Sequence, residues 1–169
     1  MIMGTIARNI FRFIVMVLLQ VLVLDNVMIN GYMVPYVYLL FLLLMPFETP
    51  RWLQLVAGFL LGFSVDLFEN TPGMHTAATV LVAFLRPYLL NLFAPRDGYE
   101  PETFPRVHYY GFYWFLKYTL AMVVIHHFVL FYLEVFQLKD FFSTLLRVFL
   151  SSILSAATIV LSQFFVFRE

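Results

Sequence analysis

The chain has 169 residues, the size of one domain, with an apolar fraction of 63%, an aromatic fraction of 20% and only 12% charged residues. A fold in water does not hide that much apolar surface, so the lipid bilayer is the implied solvent. Ten basic and ten acidic residues balance with no basic run, which leaves nucleic-acid binding unsupported; the lack of cysteine removes disulfides, thiolate catalysis and zinc–thiolate sites.

Polar clusters cut the sequence into six apolar segments, 9–28, 33–47, 52–68, 74–94, 109–133 and 141–167, read as six transmembrane helices of one all-α bundle. A spanning helix needs about 20 residues, so the second and third are short and the last two are long enough to tilt. The first segment follows Arg8 and Arg12 as a signal peptide would. It runs out through 20–26 with no small-x-small cleavage site, which predicts an uncleaved span. Asn30-Gly31 and Pro35 separate the first two segments, Pro46 and Pro50 bracket the next turn, and Asn70-Thr71-Pro72-Gly73 divides the third from the fourth. The stretch 94–108, with Pro95, Pro101 and Pro105, is the one sizeable hydrophilic loop.

With the N-terminus in the cytoplasm, Arg8, Arg12, Arg51, Arg96, Arg106 and Arg168 all fall on that side. Only Lys139 then lies in an outer loop, with Arg147 just inside the outer end of the last helix. This asymmetry predicts a multi-pass membrane protein with both termini cytoplasmic. Trp52, Trp114, Tyr109, Tyr110 and Tyr113 suit an aromatic belt at the cytoplasmic ends, and Arg86 and Lys117 are placed to snorkel there. No internal repeat of a two-half transporter is visible.

Gly58, Gly62 and Asp66 recur at four-residue spacing, near one side of a helix. The glycines let two backbones approach closely, either within the bundle or at a docking face for a partner helix. Asp66 sits near the outer boundary with Glu69 and His75, where it caps a helix, solvates a loop or pairs with a cation. Ser151, Ser155, Thr158 and Ser162 form a second small-residue stripe, suited to packing and, without an acid, poor as an ion path. His126 and His127 point to different sides of a helix and so do not ligate one metal; one is expected to bond within the bundle and the other to face outward. Glu134 and Arg147 are expected to meet as a structural ion pair. There is no HExxH, GxSxG, Walker loop or facing pair of acids, so the chain is read as non-enzymatic, with no catalytic residue, metal or cofactor.

Pro46-Phe47-Glu48-Thr49-Pro50, the Gly58/Gly62/Asp66 helix, and Asn70-Thr71-Pro72-Gly73-Met74-His75 leading to Leu85-Arg86-Pro87 together resemble the rod shape-determining MreD family in its Bacteroidetes-type form. The resemblance covers the third and fourth helices, while length, span number and termini fit over the whole chain. It implies a component of the cell-wall elongation machinery, the elongasome, that associates with MreC. Together they would link MreB filaments to the RodA glycosyltransferase and a class B penicillin-binding protein in peptidoglycan synthesis. It also implies a fold similar to the substrate-binding S-components of energy-coupling factor transporters, and it leaves self-association open. A vitamin-binding S-component is the alternative function. Against it, the first helix carries bulky residues from Ile10 to Leu24 with no small-xxx-small pair for coupling. A channel is disfavoured because no polar stripe repeats through the bilayer.

Overall fold

The computed structural model describes residues 2–26, 33–101, 103–135 and 141–166. Residues 27–32, Lys139 and Arg168, which enter the expected topology, lie outside these residues. The described chain is all-helical, without a strand. Helix α1 (Ile2–Leu19) runs into a π-helical stretch, Gln20–Leu24. A single turn α2 (Leu40–Leu43), α3 (Arg51–Glu69), α4 (Met74–Leu92), a single turn α5 (Val107–Tyr110), α6 (Phe112–Val135) and α7 (Phe141–Val166) follow.

Helix α3 packs on α4, α4 on α6 and α6 on α7, while α1 lies against α2 and α3. Arg51–Glu69, Phe112–Val135 and Phe141–Phe165 are long and apolar enough to cross a bilayer, which marks the chain as a membrane protein. Helix α1 has a shorter apolar run, Asn9–Leu24. Helix α4 is more polar, with His75, Thr79, Arg86 and Asn91 along it, and continues through Pro87 at the loss of one backbone hydrogen bond. Phe11, Ile14, Phe59, Phe63, Phe142, Phe149 and Ile153 are exposed, whereas Gln20, His75, Arg86, His126, His127 and Ser155 are buried. That distribution fits lipid outside and hydrogen-bonding partners inside.

Residues 33–47 do not form the spanning helix expected of them. Residues 34–39 are non-helical, only Leu40–Leu43 makes a helical turn, and 34–40 together with Leu42, Leu43 and Leu44 are buried inside the bundle. Pro35 has no N–H to give and disfavours helix in the residue before it. Buried backbone without helical bonds must find partners elsewhere. Side chains of the surrounding helices supply them. Gln20 Oε1 accepts from the Val37 and Tyr38 amides at 2.9 and 3.4 Å, and its Nε2 donates to the Pro35 carbonyl at 3.2 Å. Ser155 Oγ accepts from the Tyr36 amide at 2.9 Å. The Tyr118 hydroxyl donates to the Leu43 carbonyl at 3.4 Å, and Arg86 donates to that of Met45.

The aromatic belt is also only part of what the ends carry. Trp52, Tyr109 and Tyr113 are exposed, but Tyr110 and Trp114 are half-buried in a cluster with Phe47 and Tyr99. Phe47 stacks on Tyr99 at 4.1 Å, Tyr99 donates to the Leu90 carbonyl at 2.6 Å, and Trp114 Nε1 donates to that of Phe93 at 2.7 Å. Burial pushes the Tyr99 phenol up to about 12, so it stays a donor and ties the 94–108 loop to the end of α4.

Candidate functional site

Helices α3 and α4 meet along the glycine stripe. A methyl group on Gly62 would sit 2.5 Å from Thr76 Cα and 2.6 Å from the His75 carbonyl oxygen. One on Gly58 would lie 2.9 Å from Ala83 Cβ and 3.1 Å from the Thr79 carbonyl oxygen. The closeness lets Thr79 Oγ1 reach both the Gly58 carbonyl, at 2.8 Å, and the His75 carbonyl, at 2.7 Å. Both glycines are therefore covered from within the chain and offer no face to a partner helix. The opposite side of α3 presents Phe59 and Phe63, stacked 5.7 Å apart.

Asp66 ends this stripe as the cap of the next helix. The residue before α4, Gly73, has a positive φ of 85° and no side chain to cap with. Asp66 reaches across from α3 instead. Its Oδ1 accepts from Thr71 Oγ1 at 2.9 Å and the His75 amide at 3.0 Å, and its Oδ2 from the Thr76 amide at 2.9 Å and Thr76 Oγ1 at 2.6 Å. The carboxylate meets the orphan donors and the positive end of the α4 dipole together. Asn70, left-handed at φ 54°, closes α3 just before it.

Inside the bundle the polar side chains form two directed hydrogen-bond lines. His75 Nε2 lies 2.9 Å from Glu69 Oε2, so in a neutral ring that nitrogen carries the proton and Nδ1 accepts. Nδ1 lies 2.9 Å from the Tyr38 hydroxyl, which then donates to it and accepts from His126 Nε2 at 2.7 Å. The line ends at His126 Nδ1, buried without a partner among the described residues. In the second line the Tyr36 amide donates to Ser155 Oγ, which in turn donates to His127 Nε2 at 3.1 Å. His127 Nδ1 donates to the Val123 carbonyl at 2.7 Å. Both histidines are fully buried, against the expectation that one faces outward. The inserted segment 34–39 covers the second side of α6 that a simple helix pair would leave open.

Arg86 is also fully buried and does not snorkel. Its Nε donates to the Tyr118 hydroxyl at 3.0 Å and its Nη2 to the Met45 carbonyl, and among the described residues it makes no ion pair. The guanidinium sits just beyond α2, where the Met45 carbonyl accepts from it. On α7, Ser151 and Ser155 are fully buried, whereas Thr158 and Ser162 are half-buried and bond back to the carbonyls of Leu154 and Ile159 at 2.8 and 2.6 Å. The Ser151 and Ser155 end of the stripe thus packs inside the chain, with Ser155 bonded to α6 and the inserted segment, while Thr158 and Ser162 stay partly exposed. Arg147 Nη1 meets Glu134 Oε2 at 3.0 Å between α7 and α6.

The residues that sequence reasoning missed are Gln20, Tyr36 and Tyr38. A glutamine inside an apolar run, and tyrosines beside Pro35, were the available signals. Set beside known proteins, the chain matches no family model, no curated protein and no solved structure.

Proposed function

We propose that this chain is a non-enzymatic membrane scaffold of the MreD kind, which binds an MreC-like partner and takes part in lateral cell-wall synthesis. The observation that carries the reading is the stretch from Pro46 to Pro87. The residues that give it its resemblance form one interlocked hairpin, with Gly58 and Gly62 seated on α4 and Asp66 capping it. Most buried polar groups hold backbone or helix to helix, as a rigid platform requires. The topology is that of an S-component-like bundle with both termini cytoplasmic. Helices α1, α3, α4, α6 and α7 each cross the inner membrane, and 33–47 returns through the interior as a broken sixth crossing. MreB, RodA and the class B penicillin-binding protein are reached directly or through MreC. Because the glycine stripe and the Ser151/Ser155 end of the serine stripe are covered within the chain, the partner surface lies on the exposed apolar faces.

The partner test is co-purification in mild detergent of the tagged protein with the MreC-like, single-span chain of the same cells. Retention of that chain at high salt is expected, since the exposed faces are apolar and not charged. Recovery of an ATPase-bound coupling subunit in its place would favour the S-component alternative. For topology, single cysteines in this cysteine-free chain are treated with an impermeant maleimide on cells with a permeabilised outer membrane. Labelling is expected at 69–74 and protection at 95–106; the reverse pattern would invert the orientation.

A further inference from the structure

No further inference is drawn: the strongest candidate, the apolar groove of about 500 Å³ lined by Leu55 of α3 and by Ala77, Val80, Leu81 and Phe84 of α4, carries nothing because nothing in the structure shows what covers it.

Discussion

Gly62→Leu is expected to leave little or no folded protein. A bare Cβ at that position already overlaps Thr76 Cα and the His75 carbonyl, which are backbone atoms that cannot rotate aside. Helices α3 and α4 would have to separate, and doing so would also pull Asp66 off the amides it caps. Overpacking of a core typically costs about 1–3 kcal/mol, and this site belongs at or beyond the upper end. Gly58→Ala should be far milder, because its nearest neighbour is a methyl group at 2.9 Å and the carbonyl behind it stands at 3.1 Å. The measurement is the thermal midpoint, with the monodisperse yield, in one detergent for the series parent, Gly58→Ala, Gly62→Ala and Gly62→Leu. Stability should fall in that order. A Gly62→Leu protein melting with the parent would mean that the stripe faces lipid.

Asp66→Ala carries the second large effect. It removes a carboxylate that accepts from Thr71, the His75 and Thr76 amides and the Thr76 hydroxyl. Losing an N-cap costs about 0.5–2 kcal/mol, and each buried donor left unmet adds about 1–3 kcal/mol, so a total of about 3–5 kcal/mol is expected. Asp66→Asn should fall between, since it keeps one acceptor oxygen but turns an amide N–H toward a donor. Hydrogen exchange at the His75 and Thr76 amides reads the local consequence, with protection lost in Asp66→Ala and partly kept in Asp66→Asn. Parent-like exchange in both variants would show that Asp66 is not the cap.

The helices that face lipid were legible because their signal is length and apolarity, as at Phe112–Val135 and Phe141–Phe165. Gly58, Gly62 and Asp66 were legible as one stripe because four-residue spacing fixes a common helix side whatever lies opposite. What lay opposite was not, since spacing is blind to whether the neighbour is α4 or another chain. Residues 33–47 misled for a related reason. An apolar run enclosed by protein has the same hydropathy as one enclosed by lipid, and only Pro35 hinted that the helix would fail. His127 and Arg86 follow from that error. With 34–44 as an outer helix, one histidine has an open side and Arg86 a short way to water; with it inside the bundle, both are enclosed. Gln20 is the residue that makes the insertion tenable, and its bonds to Pro35, Val37 and Tyr38 span 15 to 18 residues of sequence, beyond the reach of any local pattern.

The most direct measurement of the scaffold reading is depletion of the protein from a rod-shaped host. Cell outline and the position of new wall are followed with a fluorescent D-amino acid, and vitamin uptake is assayed in the same culture. The account predicts rounding cells, dispersed lateral wall synthesis and unchanged uptake, with shape restored by the parent gene and not by Gly62→Leu. Rods of normal width and wall pattern accompanied by the loss of uptake of one vitamin would contradict it.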